Sequence, residues 1–282
     1  TKVGSAAPTP HPVPYRIGTY ITSSPSIGYN VSGGTVENTD IGLYITGGQA
    51  NLSGTTTVAT GGLGVYMTGG TIQNASSATI NVTGGSAQGV EQTAGGSVFS
   101  QILVSGSGST GIRLTGTGGT SMSLLDVSNS ALGLSQNTTG TSTFDNVKVR
   151  GTTPGGVGIR LAGGTSTVND TLSVNAGGAA TGVIQSGTLT TFTAGTLDVR
   201  AGGIGLDKSA GSSTITTTEV RGTSTGVLQS DGSSNLTNVT VYSGGVGLNH
   251  SGGTASITNL DVQQGTGVVK SGTGWVSLSN VT

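Results

Sequence analysis

Acidic side chains recur at one position of the sequence, directly before a valine, and paired carboxylates are the groups that cleave glycosidic bonds. Asp198 precedes Val199, and Glu219 precedes Val220 one repeat later. In an extended segment that buries Leu197 and Val199, Asp198 faces outward. Two carboxylates on neighbouring strands lie about 5 Å apart, as in retaining glycosidases. The same position elsewhere holds Asp126, Lys148 and Asp261.

Two arginines argue against acid–base chemistry at this row. Arg200 and Arg221 each follow an acid by two residues, so they face the same side of the chain. We expect their guanidiniums to pair with the carboxylates, which leaves no proton-donating acid for glycoside cleavage. The favoured interpretation is a surface charge ladder, and no catalytic residue is assigned.

A second row of residues could bind a partner. Each of its members lies two positions after a glycine that recurs along the chain. Exposed tyrosine and arginine are enriched at binding hot spots, whereas tyrosines stacked one strand apart could also serve only to stabilise a face. The candidate partner-binding face consists of Tyr44, Tyr66, Glu91, Arg113 and Arg160.

Other site chemistry is sparse. The chain has two histidines, His11 and His250, and no cysteine. Ser251 follows His250, but no nucleophile elbow surrounds it, and no Gly pair precedes Lys-Ser/Thr as in a phosphate loop. We therefore predict a non-enzymatic protein with no metal or cofactor. A net charge of −1 lacks the basic excess typical of nucleic-acid binding.

The elements that position these rows come from an internal repeat. A glycine recurs about every 20 to 25 residues, within the range typical of solenoids. In most repeats an aliphatic residue or threonine precedes this glycine, and an aliphatic residue follows it. A valine recurs in phase with it, so two landmarks share one period. The glycines are Gly42, Gly64, Gly89, Gly111, Gly133, Gly158, Gly182, Gly205, Gly226, Gly247 and Gly267. The valines are Val82, Val104, Val127, Val149, Val174, Val199, Val220, Val241 and Val262.

The repeat predicts an all-β fold, a single-stranded right-handed parallel β-helix. We expect about eleven coils of 20 to 25 residues, each with three short strands separated by Gly/Ser/Asn/Thr corners. Corners such as Gly69-Gly70 and Gly252-Gly253 use the positive φ that glycine allows. The inward aliphatic residues form columns, and Phe99, Phe144, Phe192 and Trp275 are expected to be buried with them.

Composition shifts divide the chain into two parts. Residues 1–26 carry five prolines and lie outside the repeat, which indicates an extended arm or a cap over the first coil. Residues 27–282 form the β-helix domain. Because the last repeat unit is followed by no polar cap, we expect this domain to be a fragment of a longer protein.

The repeat style resembles a known family. Thr225-Gly226-Val227, a Ser/Gly turn and a Thr-rich strand ending in Asn-Val-Thr-Val are similar to the pertactin-like passenger domains of Gram-negative autotransporters. The resemblance implies secretion, display at the bacterial cell surface through the outer membrane, a C-terminal outer-membrane β-barrel in the full-length protein, and a virulence role in cell adhesion. The implied partner is a host cell-surface or extracellular-matrix protein or glycan.

Two alternatives to an adhesin remain open. Polysaccharide lyases and tailspike hydrolases use the same fold, but the sequence supplies few of the clustered carboxylates and aromatic residues that such enzymes need. A purely structural spacer, or a repetitive ice- or surface-binding solenoid, would need no site at all. Drifting coil lengths and shifting threonine positions disfavour ice binding.

Overall fold

The computed structural model describes residues 16–22, 28–73, 78–82, 88–150, 156–175, 180–200, 203–221, 225–242 and 245–282. Throughout these residues the chain is all-β without a helix, and its strands stack in parallel as a β-solenoid. The predicted fold class is confirmed, and about eleven coils is close to the observed number of turns. The right-handed sense of the coil stays a prediction.

The strands follow one another along the chain with short corners between them. The first ten are β1 (Ile17–Ile21), β2 (Gly28–Ile45), β3 (Gln49–Met67), β4 (Thr71–Gln73), β5 (Ala78–Val82), β6 (Gln88–Gln92), β7 (Gly96–Gly116), β8 (Thr120–Thr138), β9 (Thr141–Arg150) and β10 (Val157–Leu161). The others are β11 (Thr165–Asn175), β12 (Thr181–Gln185), β13 (Thr191–Arg200), β14 (Ile204–Lys208), β15 (Ser212–Arg221), β16 (Thr225–Gln229), β17 (Ser233–Tyr242), β18 (Val246–His250), β19 (Thr254–Val262), β20 (Thr266–Lys270) and β21 (Trp275–Val281).

One turn of the regular part combines a short strand with a longer, bent one. In β17 the buried residues Leu236 and Val239 are separated by two residues that both point outward, Thr237 and Asn238. This break in the period-2 alternation bends the strand, and in β11 it coincides with a shift of register between Val168 and Thr171. The three predicted segments per coil are therefore present, with the second and third joined into one bent strand.

The core is built from columns of identical or similar side chains on successive strands. Val104, Val127, Val149, Val174, Val199, Val220, Val241 and Val262 occupy one continuous register, as predicted. At its beginning the prediction was wrong, because Val104 pairs with Ile80 and not with Val82. The backbone path before β7 shifts the register by two residues, which periodicity alone does not show.

The recurring glycine packs against this valine column. A methyl group added to Gly205 would lie 2.5 Å from the carbonyl oxygen of Gly226 and 2.8 Å from Cγ2 of Val220. The glycine column therefore allows the short strands to pack closely against the strands that carry the valine column, which explains why glycine and valine recur in phase. At the corners, Gly70 and Gly253 have φ angles of 73° and 77°, which confirms the predicted use of positive φ.

The aromatic residues divide into two groups. Phe99, Phe144 and Phe192 are buried, as predicted. The prediction was wrong for Trp275, which is 80% exposed. Its register partner is Thr254, an exposed residue of an outward row, so the indole projects to the same side.

The first strand precedes the predicted start of the β-helix domain. β1 pairs in parallel with β2, and Ile17 and Tyr20 lie opposite Ile41 and Tyr44. Residues 16–22 of the predicted arm thus contain a strand of the solenoid. Residues 1–15 and 23–27 lie outside the described residues, so the arm itself stays a prediction.

Candidate functional site

A continuous row of polar and aromatic side chains runs along the short strands, and we call it the tyrosine–arginine column. Backbone pairing aligns its members one strand apart, so five residues predicted from the sequence do share one row. The column begins one strand earlier than predicted, at Tyr20. It consists of Tyr20, Tyr44, Tyr66, Glu91, Arg113, Ser135 and Arg160.

The three tyrosines of the column form a stack. The ring centroids of Tyr44 and Tyr66 are 5.1 Å apart with an interplanar angle of 15°, and those of Tyr20 and Tyr44 are 5.2 Å apart and tilted by 39°. These spacings are close to the distance between neighbouring strands, about 4.8 Å. The predicted stacking is therefore confirmed, and all three rings remain half-buried.

The arginines of the column differ from the other arginines of the chain. Arg113 and Arg160 are exposed, and no carboxylate of the described residues lies within ion-pair distance of either guanidinium. The remaining four each pair with an aspartate or glutamate: Arg16, Arg150, Arg200 and Arg221. The two unpaired guanidiniums thus lie only in this row, where their donors are available to a ligand.

The row continues beyond Arg160 with a different character. Its next members are Ile184, Asp207 and Leu228. Burial raises the pKa of Asp207 above its usual value. The polar, arginine-bearing part of the row is therefore confined to the first half of the solenoid.

The acidic row lies on the sheet that carries the valine column. Register places Asp126 beside Lys148, and Asp198 beside Glu219, as predicted. Asp198 lies on the same row as Glu219, and only 9% of the residue is exposed. The guanidiniums of Arg200 and Arg221 cover it.

Arginines engage the acids of this row, as the sequence predicted. The Nη2 atom of Arg200 lies 2.8 Å from Oδ2 of Asp198, and that of Arg221 lies 2.6 Å from Oε2 of Glu219. The Nε atom of Arg221 also lies 3.8 Å from Oδ1 of Asp198. Hydrogen bonding to Asp198 raises the pKa of Arg200 above its usual value. The arrangement is the predicted charge ladder, with the ring of Tyr242 4.7 Å below the Arg221 guanidinium.

A row of buried polar side chains escaped the sequence reasoning. The third residue after the recurring glycine points inward, and in many repeats it is polar. The sequence does contain a signal for this row: in other repeats the same position holds an aliphatic residue, such as Leu114 or Leu161, which indicates that it points inward. The buried polar row contains Gln92, Gln136, Gln185, Lys208, Gln229 and His250.

The glutamines of this row hydrogen-bond to the corners. The Nε2 atom of Gln229 donates to the carbonyls of Gly232 at 3.0 Å and Thr254 at 2.8 Å. Its Oε1 accepts from the hydroxyl of Ser234 at 2.8 Å. Each such glutamine satisfies inward-facing corner carbonyls that would otherwise be buried without a donor.

Lys208 occupies the same interior position and is fully buried. Its ammonium donates to Oε1 of Gln185 at 2.9 Å, to the carbonyl of Ala210 at 2.8 Å and to the hydroxyl of Ser213 at 3.3 Å. Burial lowers the pKa of Lys208 from 10.5 to about 8, and the nearby charge of Asp231 opposes this shift.

His250 is equally enclosed, with no exposed surface. Neither ring nitrogen has a hydrogen-bond partner among the residues described. A histidine sealed in the core cannot reach a substrate, so the structure gives no support to a triad with Ser251. His11 lies outside the described residues.

The described residues bring together no group of three or more His, Cys, Asp or Glu side chains that could hold a metal ion. Over the same part of the chain, no helix has the length and apolar character needed to cross a membrane. Comparisons of the chain with protein-family models, curated proteins and solved structures return no match.

Proposed function

We propose that this chain is the rod of a bacterial adhesin, secreted or displayed at the cell surface through the outer membrane, that binds a host cell-surface or matrix component. The tyrosine–arginine column carries this proposal. It combines stacked tyrosines with two exposed arginines that have no carboxylate partner. Tyrosine and arginine are among the residues that are enriched at binding hot spots.

The fold suits such a role. A parallel solenoid repeats the same outward position on every turn, so a row of side chains extends along the rod instead of converging in a pocket. The resemblance of the repeat to autotransporter passengers supports the same function and the same surface location. A pertactin-like virulence role and a C-terminal outer-membrane barrel belong to this proposal.

The state of the carboxylates favours binding over catalysis. A retaining glycosidase needs one carboxyl group that donates a proton and another that attacks or stabilises the sugar. Asp198 and Glu219 lie on adjacent strands, but each is held by a guanidinium. One oxygen of each carboxylate is therefore engaged by an arginine of the chain and is not free to contact a sugar.

A binding assay tests the adhesin proposal. The purified chain is applied to cultured host cells and to immobilised matrix proteins, and bound protein is measured. We expect binding that is reduced about tenfold or more by the double substitution Tyr44→Ala and Tyr66→Ala, since hot-spot truncations cost about 2 kcal/mol or more. The matched control is Thr143→Ala with Thr167→Ala, a register-paired couple on another outward row.

Three results would contradict the proposal. Wild-type protein that binds no cell or matrix component would favour a spacer. Equal loss in the tyrosine and threonine variants would remove the column from the binding surface. Cleavage of a polysaccharide panel that disappears in Glu219→Gln would establish the enzyme alternative. Labelling of intact bacteria with an antibody against the rod tests surface display.

A further inference from the structure

We infer that the tyrosine–arginine column binds an acidic linear glycan that lies along the axis of the rod. This inference rests on the proposed binding function and specifies the chemical class of its partner. It starts from the charge pattern of the chain, in which only Arg113 and Arg160 of the six arginines lack a carboxylate partner within the described residues. An unpaired guanidinium matches sulfate and carboxylate groups in bidentate fashion.

The spacing of the column suits a repeating polymer. Arg113 and Arg160 are separated by one intervening strand, which carries Ser135. Two strand spacings place the guanidiniums about 10 Å apart along the axis. An acidic glycan with one charged group per disaccharide can meet both arginines when it runs parallel to the rod, and the serine hydroxyl lies between the two contacts.

The other half of the column suits uncharged sugar groups. The rings of Tyr20, Tyr44 and Tyr66 stack on one another, so their faces are occupied and their edges line the surface. The Tyr20 hydroxyl already accepts a hydrogen bond from the Thr46 hydroxyl at 3.5 Å. Phenol hydroxyls donate to and accept from sugar hydroxyls. The carboxylate of Glu91, between Tyr66 and Arg113 in the row, accepts from sugar hydroxyls in the same way.

A glycan fits this surface better than an acidic peptide does. Extended peptides commonly add to a free strand edge, but the strands that carry Glu91, Arg113 and Arg160 are paired on both sides. Peptide recognition also relies on apolar anchors, whereas this row presents hydroxyls, guanidiniums and a carboxylate. Such groups match a chain of hydroxyls with periodic negative charge.

The inference is tested by immobilising heparin, desulfated heparin, neutral dextran and single-stranded DNA and measuring the affinity of the purified chain for each polymer. We expect the wild-type chain to bind heparin with an affinity that falls as salt is added, and to bind neutral dextran and single-stranded DNA at least about tenfold more weakly. Desulfated heparin, which keeps one carboxylate per disaccharide, should bind more weakly than heparin but more tightly than dextran. Arg113→Gln with Arg160→Gln should weaken heparin binding about tenfold or more, since hydrogen bonds between charged groups are lost.

The control pair removes the same charge from another face. Lys148→Gln with Arg150→Gln should change heparin affinity by less than about threefold, because surface charges off the site act mainly through screened long-range attraction. Circular dichroism verifies that every variant keeps its β-solenoid. Equal losses in both pairs, equal binding to DNA, or no heparin binding at low salt would overturn the inference.

Cells separate this inference from the adhesin proposal. Enzymatic removal of acidic linear glycans, sulfated and non-sulfated, from the host cells should abolish binding if both hold. Binding that survives this treatment would overturn the glycan inference, identify a protein partner and leave the adhesin proposal intact. Binding to purified heparin without binding to any host cell or matrix would overturn the adhesin proposal alone.

Discussion

Lys208, the lysine of the buried polar row, makes the free energy of unfolding depend on pH in the alkaline range. The pKa of Lys208 falls from 10.5 to about 8 because burial penalises its charged form. At about 1.4 kcal/mol for each pKa unit, the charged lysine lowers the free energy of unfolding by about 3 kcal/mol at pH 7. Its three hydrogen bonds keep the ammonium inside the core despite this cost.

The sign follows from proton linkage. Below pH 8 the lysine is protonated in both the folded and the unfolded chain, so the full penalty is present. Between about pH 8 and pH 10.5 the unfolded chain binds the proton and the folded chain does not, so the free energy of unfolding rises with pH. Above that range both states are neutral and the penalty is gone.

Lys208→Gln should remove this dependence. Gln185 and Gln229, its register neighbours, already fill the same interior position as glutamine. We expect the variant to be more stable than the wild type at pH 7 by up to about 3 kcal/mol, with the difference vanishing near pH 10.5. Urea unfolding, followed by far-ultraviolet circular dichroism at several pH values, measures both quantities.

A second lysine of the same row provides the control. Lys270 lies three strands further on in this row but is exposed, so Lys270→Gln removes a lysine charge of the same row without removing a buried one. Other groups that titrate between pH 8 and pH 10.5 are common to all three proteins and cancel in the differences. A stability difference between wild type and Lys208→Gln that stays constant over this range would refute the reasoning.

Two further substitutions test the core. Val199→Asp should destabilise the rod by more than about 4 kcal/mol, since it buries an unpaired charge in the valine column. Thr193→Asp, on an outward position, should change little, and an unchanged melting temperature for Val199→Asp would contradict the inward assignment. His250→Gln should raise the free energy of unfolding by about 1 kcal/mol. Glutamine can donate to the corner carbonyls as Gln229 does, whereas the imidazole makes no hydrogen bond there. Urea unfolding that shows a less stable His250→Gln protein would mean that the imidazole has a partner.

Much of the fold follows from local rules that the sequence obeys on its own. Period-2 alternation around residues such as Val199 and Val220 assigns strands, and positive-φ corners such as Gly253 separate them. Because each coil packs mainly on its two neighbours, one repeat period is enough to predict a solenoid. The rows of Tyr44 and Asp198 follow directly from that period.

The tertiary structure decided what depends on register and enclosure. Val82 misses the valine column because the chain path between coils, and not the count of residues, sets which backbone groups meet. Asp198 becomes buried because arginines from two turns close over it.

The interior polar row and the free arginines are tertiary facts of the same kind. Nothing local distinguishes the inward Lys208 from a surface lysine. The oxygens that accept its hydrogen bonds belong to a corner, at Ala210, and to a neighbouring strand, at Gln185. Likewise, Arg150 forms an ion pair with Asp126 of the neighbouring turn, whereas Arg113 forms none among the described residues although Glu91 lies beside it in register. Local periodicity chooses the face of a strand, whereas the partners of each side chain come from neighbouring turns, about 20 or more residues away in the chain.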